Sequence, residues 1–86
     1  MQIPDLVMSI LFGDLKVGDN AVISSFKVDQ VHSKQGQRLM VLGLTPGTRF
    51  HVTRVAPLGD PIEIRLRGFN LSLRRDEAHG LWVEKL

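Results

Sequence analysis

Histidines, serines, paired carboxylates and glycine loops are the features through which this chain could run a reaction or hold a ligand. His32, His51 and His79 are its three histidines. They show no helical pair spacing, and no cysteine or carboxylate cluster stands beside them, so they do not form the closely spaced donor set that a metal ion selects. Nucleophilic catalysis needs a hydroxyl or thiol with a base in reach and a third group to orient the base. Ser24, Ser25, Ser33 and Ser72 occupy strand or capping contexts, with no nucleophile elbow around any of them. The eight glycines form neither a Walker nor a dinucleotide pattern after a strand, and each has a turn or cap to serve. Asp76 and Glu77 adjoin Arg74 and Arg75, which oppose the raised pKa a catalytic acid requires. The residues describe a binding protein rather than an enzyme, and no cofactor or metal ligand is expected.

Charge is the remaining chemistry. The net charge is +2, but between positions 49 and 75 six arginines (Arg49, Arg54, Arg65, Arg67, Arg74 and Arg75) face only Asp60 and Glu63. Such an excess attracts nucleic acid, an acidic protein surface or anionic lipid, and it also suits a solvated sheet face. Sites for nucleic-acid strands interleave bases with exposed aromatic rings. Here only Phe69 stands among the arginines at an exposed position, because Phe26, Phe50 and Trp82 follow core periodicity. A nucleic-acid-binding small barrel is therefore the rival reading, and no nucleic acid is the expectation.

These side chains must be carried by short elements. The chain has 86 residues, 43% of them apolar and 23% charged, with no cysteine. That is one domain with its own core and no disulfide or thiolate staple, which fits a reducing compartment. No apolar run approaches the ~20 residues of a membrane span, and the opening stretch lacks the basic lead and cleavage site of a signal peptide. Residues 4–12 read as a short helix begun by Pro4 and Asp5 and stopped by Gly13, with Leu6, Val7, Ile10 and Leu11 on one face and Met8 and Phe12 off it. So apolar a segment must pack on its own barrel or on a second copy of the chain. A strand is expected near Ala21–Phe26 and a second extended piece through Val28 and Val31.

Ser33 caps a helix running to about Leu42, with Gly43 after it in the left-handed position and Lys34, Gln35 and Arg38 facing water. Thr45-Pro46-Gly47-Thr48 is a turn. Phe50 and Val52 alternate with His51 and Thr53, and Ile62, Ile64 and Leu66 alternate with Glu63, Arg65 and Arg67, the period of half-buried strands. Gly68 turns the chain into Leu71 and Leu73. A single helical turn at 75–79 ends at Gly80, and Leu81–Val83 is the last strand. Five or six short strands with one interposed helix make a mainly β fold, a small barrel. Residues 1–12 form an apolar extension, and residues 13–86 form the barrel.

Three segments in this order and spacing (Leu39-Met40-Val41-Leu42-Gly43-Leu44-Thr45-Pro46-Gly47-Thr48, then Val55-Ala56-Pro57-Leu58-Gly59-Asp60-Pro61-Ile62, then Leu71-Ser72-Leu73-Arg74-Arg75) closely resemble the FeoA family, over roughly Leu15 to Val83. The resemblance implies an SH3-like barrel in the cytoplasm, an accessory of bacterial ferrous-iron transport. Its implied partner is FeoB, a membrane permease with a cytosolic GTPase domain, so that contact with the membrane would be indirect. The domain also looks like the C-terminal module of iron-dependent repressors, whose DNA-binding winged helix this chain has no room for. The N-terminal extension departs from the shortest family members and raises pairing of two chains through residues 1–12.

The residues themselves mark two candidate partner sites. The first is the loop Pro57, Leu58, Gly59, Asp60 and Pro61. Its two prolines limit the entropy lost on docking, and Leu58 at its tip has no core partner by periodicity. Leu58 could alternatively fold back to close one end of the barrel. The second is the exposed side of the helix, with Lys34 and Arg38.

Overall fold

The computed structural model describes residues 9–27 and 33–86. These residues form six strands, β1 (Ser9–Leu11), β2 (Asn20–Phe26), β3 (Arg49–Val55), β4 (Ile62–Leu66), β5 (Phe69–Leu73) and β6 (Leu81–Lys85), and among them one α-helix, α1 (Lys34–Val41), lies between β2 and β3. The strands form a single antiparallel sheet in the order β1-β6-β2-β3-β4-β5. Two bulges bend it. Ser24 is the extra residue between Ile23 and Ser25 where β2 meets β6, and Thr53 is the extra residue between Val52 and Arg54 where β3 meets β4. An inserted residue raises the local twist, and twist curls a six-stranded sheet around its own apolar face.

That face is the one periodicity marks. Ala21, Ile23, Phe50, Val52, Ile62, Ile64, Leu66, Leu73, Leu81 and Val83 are all buried inside the curl. Phe12, Leu15, Leu39, Leu44 and Ala78 from the connections plug it, and the Phe12 and Phe50 rings meet at 5.9 Å between centroids. The helix begins as its sequence demands, the Gly36 N–H donating to Ser33 Oγ at 2.9 Å, and Gly43 at φ +106° follows its end. The one buried polar residue among those described, Thr48, donates from its hydroxyl to the Gly43 carbonyl at 3.1 Å. It thereby ties the helix terminus to the start of β3, and no buried polar group is left open there. Arg67 and Gly68, at φ +49° and +86°, make the two-residue turn between β4 and β5, the backbone pattern of a type I′ hairpin.

Two expectations need correction. Ser9–Leu11 is a strand, not the end of a helix: it pairs with β6, Ser9 opposite Glu84 and Leu11 opposite Trp82. An unpaired sheet edge satisfies backbone groups that a lone short helix leaves half solvated, so tertiary context overrides the local signal. Residues 9–12 thus pack on the chain's own sheet, with Phe12 fully buried; residues 4–8 of the expected helix lie outside the described residues. Trp82 is not core. It is half-buried between buried Leu81 and Val83, so strand alternation turns it to the outer face, across from Leu11 and Ser25. The extended piece expected through Val28 and Val31 lies outside the described residues.

Candidate partner-docking surface

The loop between β3 and β4 is built to hold one apolar side chain in water. Gly59 takes φ +90°, a conformation an L side chain resists, and its N–H donates to the Ala56 carbonyl at 2.7 Å. The loop closes at its base through the Ala56 N–H and the Pro61 carbonyl, 3.1 Å apart, with a cis bond between Asp60 and Pro61. Leu58 at the tip is 96% exposed. It does not fold back over the barrel.

A second segment braces this loop from outside. The Arg75 N–H donates to Asp60 Oδ1 at 2.8 Å, and its Nε donates to the Gly59 carbonyl at 2.6 Å. Arg74 Nη1 lies 3.7 Å from Asp60 Oδ2. The same segment reaches the helix. Glu77 accepts from the Arg74 N–H at 2.9 Å through Oε1 and from Arg38 Nη1 at 2.5 Å through Oε2. These contacts, the Arg74 N–H first and the Arg38 guanidinium second, hold the Glu77 carboxyl below the usual carboxylate range. The turn at 74–79 is helical in its bonding, the Ala78 N–H meeting the Arg74 carbonyl at 3.2 Å. It joins α1 to the Pro57–Pro61 loop, so the two candidate sites read from the sequence belong to one hydrogen-bonded unit. Arg38 serves inside this unit through Glu77; Lys34 stands exposed on the first turn of α1.

Periodicity gave no sign of some of this surface. Val41 on α1 is 85% exposed and Val17 is 60% exposed. Val17 borders an open cleft of about 360 Å³ lined by Gly13, Asp14, Leu15, Lys16, Val55 and Arg75. Arg75 therefore serves both the cleft and the Leu58 loop. The arginines are spread rather than pooled: Arg67 Nη2 reaches Thr48 Oγ1 at 3.4 Å and Arg65 Nη1 reaches Asn70 Oδ1 at 3.5 Å. Among the described residues no group of three or more histidines or carboxylates is placed to hold a metal. His51 Nδ1 lies 2.8 Å from Asn20 Oδ1 and His79 Nδ1 lies 2.9 Å from the Asp76 carbonyl, while His32 lies outside the described residues. No described helix is long and apolar enough to cross a membrane.

The model of the FeoA domain matches residues 12–85, beginning at the first buried aromatic. The chain belongs to the FeoA family. A protein of Porphyromonas gingivalis, an Fe(2+) transport protein A/Fe(2+) transporter FeoB fusion, is 37% identical over 71 residues. That match covers 83% of this chain and 8% of the fusion protein, so the FeoA domain is a small part of that relative. Among solved structures, the FeoA protein from Chlorobium tepidum is 42% identical at a TM-score of 0.76, covering 90% of this chain and 70% of that one. The FeoA-like protein from Clostridium acetobutylicum is 33% identical at 0.80, covering 91% and 87%. In fold alone the chain also matches a Stenotrophomonas maltophilia FeoA described as an SH3 domain protein, at 23% identity and a TM-score of 0.73 over 86% of this chain and 88% of that one. The curled six-stranded sheet is this SH3-like fold.

Proposed function

We propose that this FeoA domain supports bacterial ferrous-iron uptake from the cytoplasmic side by binding the cytosolic GTPase region of a FeoB-type permease. One observation carries the reading: Leu58, 96% exposed, on a loop tied down by Arg75, Asp60 and Gly59. A large apolar side chain held in water on a rigid mount loses little entropy when a partner covers it, which is the economy of an interface anchor. The fusion of a transport protein A to FeoB in the Porphyromonas gingivalis relative supports the choice of partner, because a covalent link holds two domains at high effective concentration. Val17 and the cleft beside Arg75 flank the anchor, and Lys34 and Arg38 extend the surface along α1. Iron is the permease's cargo in this scheme, and the FeoA domain acts through contact with protein.

Leu58→Asp is the test. The side chain is solvated, so the variant is expected to melt within about 0.5 kcal/mol of the parent. It is also expected to lose at least about tenfold in affinity for the GTPase region, the cost of truncating a buried anchor, and to fail in restoring Fe(II) uptake to cells lacking their own FeoA. Parent-like binding by a well-folded Leu58→Asp would place the interface elsewhere.

A further inference from the structure

Among the described residues the sheet has two edges, β1 and β5. β5 pairs with β4 alone among the described residues, so one row of its N–H and C=O groups faces outward. Natural edges of this length carry a charge, a proline or a bulge to deter further pairing. β5 reads Phe69-Asn70-Leu71-Ser72-Leu73 and has neither charge nor proline. Its register with β4 runs unbroken from Leu66 opposite Phe69 to Ile62 opposite Leu73, whereas the β2–β6 and β3–β4 ladders are both bulged. Phe69 is 44% exposed. Charge stands beside the strand and at its ends: Arg65, whose guanidinium reaches Asn70, Glu63 opposite Ser72, and at the two ends only arginine, Arg67 in the turn before it and Arg74 directly after it.

This charge pattern selects the occupant. Two copies pairing antiparallel about Leu71 would set Arg67 of one against Arg75 of the other, and like charges facing each other across strands are destabilising. A strand with acidic ends meets arginine at both.

We propose that β5 accepts an extended segment of a partner protein as a seventh strand, apolar at alternate positions and acidic at its ends. The proposal rests on the partner-binding reading above and adds a second contact to it. Leu73 lies opposite Ile62, the residue after Pro61, so the end of β5 abuts the Leu58 loop. A cleft of about 240 Å³ lined by Arg54, Ala56, Pro61, Glu63 and Ser72 lies between the two and takes one side chain of the added strand. Main-chain pairing supplies affinity in such additions, and side-chain pockets supply selectivity.

Two probes test this on the full chain: the permease's GTPase region and the blocked peptide Asp-Glu-Val-Thr-Val-Thr-Glu-Asp. The outward amides of β5 are expected to exchange freely in the chain alone and to slow at least about tenfold on saturation with the peptide. A peptide with lysine at each acidic position should not bind. Asn70→Asp with Ser72→Asp alters two exposed side chains, one opposite Arg65 and one opposite Glu63, so the gain and the loss on β4 offset. It should melt like the parent while binding both probes at least about tenfold more weakly, through repulsion of the acidic partner across the strands. Leu58→Ala, which adds no charge, should weaken the GTPase region alone. Parent-like binding by the aspartate variant overturns the proposal. So does peptide-induced protection confined to other elements, or protection of β5 in the chain alone through concentration-dependent dimers. If the GTPase region fails to bind even the parent, the earlier reading falls and the peptide measurements still decide this one.

Discussion

Arg75→Ala measures how much the loop depends on its brace. The substitution removes the bond from Nε to the Gly59 carbonyl at 2.6 Å, while the backbone bond from residue 75 to Asp60 Oδ1 at 2.8 Å remains. Charge-assisted hydrogen bonds contribute about 1.5–3 kcal/mol when shielded. Arg75 is exposed, so water replaces much of the lost bond, and about 1 kcal/mol is the expected loss. For a domain of 86 residues that lowers the melting temperature by roughly 4–8 °C. The local effect is larger. With the Gly59 carbonyl released, the loop keeps the Gly59–Ala56 bond, the Ala56–Pro61 closure and the bond to Asp60 Oδ1, but the tip loses its outer tie and the partner must then order it on docking. Freeing one backbone residue costs about 1–2 kcal/mol at that step, which weakens binding roughly 5- to 30-fold.

The assays are a melting curve, amide exchange at Gly59, and titration with the GTPase region. Asp60→Asn is the control. It keeps an oxygen to accept from the Arg75 N–H and removes only the exposed pairing with Arg74 at 3.7 Å, so it should stay within about 0.5 kcal/mol of the parent. If Arg75→Ala binds the partner with parental affinity while Gly59 exchanges faster, loop rigidity does not contribute to docking and the anchor argument is wrong. A stability loss above about 3 kcal/mol would show instead that Arg75 supports the core.

Glu77 and Asp19 both titrate below the usual carboxylate range, Glu77 through the Arg74 N–H and Arg38, Asp19 through the Lys16 N–H and Lys85. A carboxylate with a lowered folded-state pKa adds stability above its ordinary value, near ~4, and loses it as pH falls through the lowered one. Melting should therefore be flat from about pH 7 to 5 and decline below about pH 4, with a shallower decline in Glu77→Gln. Divalent metal is expected to be irrelevant to folding. Melting curves with chelator and with added Fe(II) or Zn(II) should superimpose, and a chelator-induced drop of several degrees would reveal a structural site.

Where the sequence was legible, a short-range rule was in force. Ile62, Ile64 and Leu66 alternate with charged residues and are all buried. Ser33 ahead of the helical run is a cap visible in the chain order, and it forms. Where a competing partner lay far along the chain, the local signal failed. Ile10 and Leu11 suit a helix face, yet they join a strand because Val83 and Trp82, more than 70 residues away in sequence, offer an unsatisfied ladder. Trp82 was misplaced because its neighbours Leu81 and Val83 are apolar too. In a run of three such residues, periodicity cannot say which one faces out.

The docking surface was half legible for a related reason. An apolar residue in a loop between two prolines has nothing periodic to join, so Leu58 stands out in the sequence itself. What makes it useful is non-local. Its mount depends on Arg75, 17 residues away, and the link to α1 depends on Glu77 meeting Arg38 across 39 positions. Within the sequence Arg75 to Glu77 read only as the start of a single helical turn. Val41 and Val17 carry no such mark, because in sequence an exposed valine is indistinguishable from a core one. The β5 edge is the extreme case, since nothing in Phe69-Asn70-Leu71-Ser72-Leu73 marks it as outermost. Only the order of strands does so, and strand order is set by the whole sheet. A surface of this kind can thus be altered at two independent points, the anchor through Leu58 and the edge through Asn70 and Ser72, neither of which the core depends on. If both contacts serve one partner, each set of variants should weaken binding of the GTPase region, while the edge variants alone should weaken the strand-forming peptide.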